Sequence, residues 1–196
     1  MYNIINSCLI YYTVKPMKKS IDIFAATNSL KVLSYLAQHP GKELLNSEIQ
    51  KAISASRIGV YFALRELMRQ KLVSGTRRGR PIFYSIAYDD VAIKQFKILK
   101  NVFALRAIVS KLKLSSRKIV LYGSYSRGEN DPSSDIDLFI LSKDPHHTKD
   151  VISSIKTKQK IQAVVKTSSE LAGFKEDEKV FMQEVDRGIV LWEEKE

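Results

Sequence analysis

Cysteine is almost missing from this chain of 196 residues: Cys8 stands alone. A single thiol excludes an intrachain disulfide and a zinc site built on several cysteines, and it fits a reducing, cytoplasmic setting. Long apolar runs are missing too. The apolar stretch at residues 4–14 contains Asn6 and Ser7 and carries its lysines after the apolar part, opposite to a secretory signal. It also falls short of the ~20 residues that a bilayer crossing needs. Residues 1–19 read as an N-terminal extension, with Met17 as a natural alternative start, and no membrane partner is expected. There is no internal repeat, low-complexity tract or heptad series, so a solenoid or coiled coil is excluded.

Negative charge is the other shortage. Lys and Arg number 32 against 21 Asp and Glu, a formal +11, which points to a polyanionic partner, nucleic acid before an anionic membrane. Hydrophobic residues at 44% and charged residues at 27% are ordinary for a folded globular chain, and the length suits one large or two small domains. The excess is uneven: residues 1–93 hold 13 basic and 6 acidic side chains, and residues 94–196 hold 19 and 15. Its densest stretch, Lys71 to Arg80, contains Lys71, Arg77, Arg78 and Arg80 and no acid.

Around that stretch the apolar spacing predicts three helices and two strands. Leu30, Val32, Leu33 and Leu36 mark a helix over residues 29–38, closed by Pro40-Gly41. Asn46-Ser47 offers an N-cap to a short helix ending at Ala52. Val60, Ala63, Leu64 and Leu67 recur at three- and four-residue intervals in a third helix over residues 56–70. Leu72-Val73 and residues 82–86 read as two strands joined through Gly75, Gly79 and Pro81. The segment SRIGVYFALRELMRQKLVSGTRRGRPIFYSI resembles the winged helix-turn-helix domains of bacterial and archaeal regulators. In such folds the third helix enters the major groove and the wing follows the backbone. The resemblance therefore implies DNA contacts from Arg57, Tyr61 and Arg65 on the helix and from Arg77, Arg78 and Arg80 on the wing. Tyr61 and Phe62 also suit packing on the following domain or on a dimer mate, and a homodimer is the prior for such a fold.

Asp89-Asp90 can cap a long amphipathic helix carrying Phe96, Leu99, Val102, Phe103, Ile108 and Leu112. Beyond it lie a strand at residues 118–122, a turn at Gly123–Gly128, a turn at residues 131–134 and an alternating strand at residues 135–141. Residues two apart on a strand share a face, so Asp135 and Asp137 stand side by side. Paired carboxylates repel unless a cation joins them, and hard oxygen ligands suit Mg²⁺ or Mn²⁺. The backbone N–H groups and hydroxyl of Gly123-Ser124 can hold phosphate oxygens close by.

The run GSYSRGENDPSSDIDLFIL resembles the nucleotidyltransferase signature of the DNA polymerase beta-like superfamily. The small size of the second part and its end in VDRGIVLWEE resemble minimal nucleotidyltransferases of the antitoxin type, often paired with HEPN-type toxin-like proteins. The resemblance implies a nucleoside triphosphate ligand held by Gly123, Ser124, Arg127, Gly128 and Ser134, and Asp135 and Asp137 as metal ligands and catalytic carboxylates. It also implies a third acid on a later strand. In the matching strand, residues 160–165, that position is Gln162, and Glu170 beyond it can replace the acid only if the chain curls back.

The expected fold class is α+β: an N-terminal winged helix-turn-helix at residues 20–88, a connecting helix at 89–115, and a small nucleotidyltransferase-type α/β domain with a mixed sheet at 116–196. Two functions follow from the resemblance. One is a DNA-binding protein that binds Mg-nucleotide and transfers a nucleoside monophosphate to an acceptor hydroxyl, one on a toxin-like partner among them. The other is a transcriptional regulator whose impaired nucleotidyltransferase domain serves as nucleotide sensor or dimerisation module. Three further readings are structural. His146-His147 belong to a polar loop, Trp192 belongs to the core, and Glu176, Asp177 and Glu178 open the last helix.

Overall fold

The computed structural model describes residues 22–195, so the extension expected at residues 1–19 lies outside the described residues. Thr27 starts the first helix, α1 (Asn28–Ala37), its hydroxyl accepting from the Leu30 amide at 3.2 Å. A two-residue strand, β1 (Leu44–Leu45), runs directly into α2 (Asn46–Ile53). The cap expected at Asn46-Ser47 is displaced: the Glu48 carboxylate reaches back and accepts from the Leu45 amide at 2.7 Å, so Asn46 is already helical. Ser56 caps α3 (Arg57–Arg69) by accepting from the Gly59 amide at 3.1 Å.

The hairpin of β2 (Val73–Arg77) and β3 (Ile82–Ile86) follows, and β1 pairs with the other edge of β3. The first wing strand is longer than the expected Leu72-Val73 and carries Arg77 within it. Val32, Leu36, Ile49, Val60, Leu64 and Leu67 form the core between the helices, and Tyr84 and Ile86 close it from the sheet. Three helices and an antiparallel wing in this order are a winged helix-turn-helix.

Asp90 caps α4 (Val91–Leu112), accepting from the Ala92 amide at 2.8 Å. This helix lacks the single apolar face expected of it. Ile93 and Phe96 pack into the winged-helix core, whereas Leu105, Ile108 and Leu112 pack into a second core. Leu99 and Phe103 stay exposed, and Phe103 meets Phe24 edge-on at 5.6 Å.

The second core is built on β4 (Ser116–Tyr122), α5 (Gly123–Arg127), β5 (Ile136–Ser142), α6 (Pro145–Ser154), β6 (Ile161–Lys166), α7 (Ser168–Asp177), α8 (Lys179–Asp186) and β7 (Ile189–Glu193). The sheet order is β6-β5-β4-β7, with β5 and β6 parallel and the other pairs antiparallel. Strand alternation sorts its two faces. Ile136, Leu138 and Ile140 meet α4, while Phe139 meets Met182 and Val185 of α8. Trp192 is half-buried against the α4 side, as expected.

Three local expectations change. The Gly123–Gly128 turn is mostly the short helix α5, ended by Gly128 in the left-handed region at φ +69°. His146 and His147 lie in α6, because Asp144 caps it and Pro145 sits in its first turn. Glu176 and Asp177 end α7 rather than opening the last helix, and Glu178 is the junction with α8.

Leu138 is fully buried in the second core, so Leu138→Ala is expected to cost about 2–5 kcal/mol. Leu114→Ala, at an exposed site, should stay within about 0.5 kcal/mol. Urea unfolding of both variants measures the contrast.

Candidate functional site

The site begins where β4 ends. Gly123 follows Tyr122 with φ +67°, and a Cβ there would fall on the Asp137 carboxylate. Glycine is required twice over, for the left-handed backbone and for the close approach. Cross-strand register places Tyr122 opposite Asp137 on one side and Gln162 opposite Asp137 on the other. Asp135 stands just before β5, and the Gln162 side-chain amide donates to its carboxylate. Asp135, Asp137, Gln162 and Gly123 are therefore gathered at one end of the sheet.

Burial and repulsion shape the electrostatics. The Asp137 carboxyl is raised above the usual carboxylate range, first by burial, then by the negative charges of Asp135 and Glu184, with Arg127 opposing. The Tyr122 phenol is pushed up to about 12 by burial and by Asp137 and Glu184. Glu184, on α8, was not legible as a site residue. Its only sequence setting is an ordinary amphipathic helix, and folding alone brings it to the Asp137 side of the sheet.

The residues expected to hold phosphate separate into two kinds. Gly123 lies directly beside Asp137, and Ser124 follows it in α5. Arg127 is already engaged, with Nε 3.0 Å from Glu129 and Nη1 2.9 Å from Glu184. Gly128 supports the backbone, since a Cβ there would strike the Lys94 carbonyl of α4. Ser134 closes a turn: its Oγ accepts from the Asp131 amide at 2.9 Å and donates to the Asp131 carboxylate at 3.2 Å.

Glu170 does not curl back. Its carboxylate accepts from the Thr167 amide at 2.7 Å and the Thr167 hydroxyl at 2.9 Å, forming the capping box of α7. Among the described residues, no group of three His, Cys, Asp or Glu side chains is placed to hold a metal. His146 pairs with Asp150 one helical turn away at 3.2 Å. Two nearby carboxylates, one of them raised first by burial and then by its neighbour's charge, would suit one hard divalent cation with phosphate oxygens as further ligands. They do not supply the anionic ligands for a second.

On the winged helix, Arg57, Tyr61 and Arg65 all face solvent along α3. Tyr61 and Phe62 are 50% and 57% exposed and meet edge to face at 5.6 Å, so the following domain does not cover them. Arg77 and Arg80 are exposed on the wing. Arg78 differs: it pairs with Glu43 at 2.7 Å and lies 5.5 Å from the Phe83 ring centre. No helix of the described residues is long and apolar enough to cross a membrane.

The raised Asp137 carboxyl carries a sign. In the unfolded chain it ionises at the ordinary value, so the folded state is penalised as pH rises through and above the carboxylate range. Asp137→Asn is therefore expected to raise the melting temperature at pH 7 in chelator, with the gain vanishing near pH 3. Melting curves of both proteins across that interval check it, and a lower melting temperature for the variant at pH 7 would contradict it.

Residues 104–193 match the family model described as nucleotidyltransferase domain. Comparison with curated proteins gives no match. Among solved structures, the chain is similar to a homodimeric winged helix-turn-helix DNA-binding domain from Mycobacterium bovis, described as a possible ArsR-family transcriptional regulator. That likeness has 29% identity and covers 44% of this chain and 70% of the other, with a TM-score of 0.29. The winged helix-turn-helix here is assigned from the order and pairing of its own elements. The part of the chain that carries Gly123, Asp135 and Asp137 is a nucleotidyltransferase domain.

Proposed function

We propose that the protein binds DNA through its winged helix and holds one magnesium nucleotide on Asp135 and Asp137, with nucleotidyl transfer curtailed by Gln162. The observation that carries this reading is the placement of Gln162. It stands in register beside Asp137, and its amide donates to Asp135, where the resemblance calls for a third carboxylate. An amide oxygen can ligate a metal but cannot take a proton from an acceptor hydroxyl. It also removes a negative charge that would draw a second cation.

In this reading Gly123 and Ser124 meet the phosphates, and Mg²⁺ (or Mn²⁺), when bound, supplies the charge that joins those phosphates to the two carboxylates. Arg127 turns to a phosphate only by giving up Glu184 or Glu129. Residual transfer would go to an acceptor hydroxyl such as one on a HEPN-type partner. Nucleotide sensing coupled to DNA binding, as in a transcriptional regulator, is the role this combination fits best.

Calorimetry with ATP or GTP is expected to show a Mg²⁺-dependent binding event that Asp135→Ala abolishes. With labelled nucleotide and candidate acceptors, Gln162→Asp should raise transfer by about 10²-fold, the order of a restored general base. Equal transfer by wild type and Gln162→Asp would overturn the curtailment.

The wing makes a separate prediction for the salt dependence of DNA affinity. Arg77→Ala and Arg80→Ala are each expected to reduce the slope of log K against log salt by about 1. Arg78→Ala should reduce it less, because Glu43 already holds that guanidinium. Three unchanged slopes would remove the wing from the DNA interface.

A further inference from the structure

A cleft of about 520 Å³ opens between the two cores, on the side of the sheet away from the paired carboxylates. Ile136 lines it, and β5 alternation sends Asp137 to the opposite face. Its walls are the C-terminal part of α1, one face of α4, and the loops before β5 and β6. The volume is that of an ordinary small-ligand site.

Its charge is unusual. Lys97 is only 8% exposed, and its ammonium donates to the Asn130 carbonyl at 2.6 Å. Lys100, one helical turn on, is half-buried and donates to the Ser34 carbonyl at 3.4 Å. Among the described residues neither ammonium lies within 4.0 Å of a carboxylate. Burial lowers the pKa of both. The acids that face them are Asp131 and Glu129 near Lys97 and Asp22 near Lys100. Asp131 is already committed to the Ser133 amide and hydroxyl at 2.8 and 2.6 Å, and Glu129 to Arg127. Lys158 adds a third ammonium at the rim, while Leu105, Ile108 and Ile136 supply an apolar wall.

A buried cation met only by a carbonyl is incompletely compensated. Buried Lys97 and half-buried Lys100 one turn apart, beside an apolar wall, suit a ligand that is polyanionic at one end and apolar at the other. We propose that this cleft is a second ligand site, distinct from the carboxylate face, that takes a phosphorylated nucleoside with its phosphates on Lys97, Lys100 and Lys158. The site touches both halves of the chain. Lys100 tethers α4 to α1 of the winged helix, and Lys97 tethers it to the loop that leads into Asp135. A phosphate that draws these ammonium groups away from Ser34 and Asn130 loosens both tethers together.

The test removes the carboxylate site first. Calorimetry is run in EDTA on the full chain carrying Asp135→Ala and Asp137→Ala, with ATP, GTP and inorganic tripolyphosphate as probes. One binding event is expected for a nucleotide, weakened at least about tenfold by adding Lys100→Gln and kept by Lys100→Arg; a tenfold loss is about 1.4 kcal/mol. Thermal unfolding shows that each variant is folded, and half-buried Lys100 rather than Lys97 carries the comparison for that reason. Absence of nucleotide binding in the double variant, or an affinity indifferent to Lys100→Gln, would overturn the proposal. Tripolyphosphate binding as tightly as ATP would overturn its nucleoside part. None of these outcomes depends on Mg²⁺ binding at Asp135 and Asp137, so the two sites fail or stand separately.

Discussion

The structure turns on α4. At 22 residues it is about 33 Å long, and its two ends are buried in different cores: Ile93 and Phe96 in the winged helix, Leu105, Ile108 and Leu112 against the second sheet. Each core is incomplete without its end of the helix. The close approach of α5 depends on the same element, since Gly128 lacks the side chain that would strike the Lys94 carbonyl. Packing in protein interiors is dense enough that such a shared element transmits displacement instead of absorbing it. The two cores are thus coupled by packing through α4.

That coupling matters because of what stands at the sheet end beside α5. The Asp137 carboxylate is held half-buried by the missing side chain of Gly123 and between its cross-strand neighbours Tyr122 and Gln162. Its ionised form is disfavoured there by burial and by Asp135. A cation would relieve that cost, which is the physical reason for proposing a metal at such a pair. The nearby cationic side chain, Arg127, is divided between Glu129 and Glu184 and does not neutralise the pair by itself. The proposed single divalent cation, accompanied by a phosphate, would meet that unneutralised charge.

Much of this was legible in the sequence, and for identifiable reasons. Helix periodicity placed α1, α3 and the strands around the wing, because their apolar residues face one core each. The Gly-Ser turn followed by Asp-Ile-Asp pointed to the candidate site, because strand alternation makes two acids neighbours. The same alternation and the parallel pairing of β5 with β6 put Gln162 beside Asp137. Local competition hid the rest. A five-residue helix at Gly123–Arg127 looks like a turn until Gly128 ends it, and Asp144-Pro145 converts an apparent His-rich loop into α6. The mixed faces of α4 blurred its pattern, since one helix serving two cores has no single stripe. Glu184 and the cleft residues Lys97 and Lys100 were invisible as a group, because only tertiary packing brings α8, α4 and the loops to them.

The charge of the chain takes a different meaning once these positions are known. A formal +11 suggests one broad attraction for polyanions, yet its members are not equivalent. Arg77 and Arg80 on the wing are exposed and unpaired among the described residues, so they are free to exchange counterions with a nucleic-acid backbone. Arg78 and Arg127 are already consumed by Glu43, Glu129 and Glu184. Buried Lys97 and half-buried Lys100 are not paired with acids among the described residues, and a charge so withdrawn from solvent is retained at a cost to stability. Gln162 works in the opposite direction, removing a negative charge where the resemblance calls for one. An acid missing at the carboxylate face and cations withdrawn from solvent behind it are what the proposed emphasis on phosphate binding over turnover rests on. If, as proposed, one half reads an anionic ligand and the other an anionic backbone, the element that joins the two readings is α4, packed into both cores.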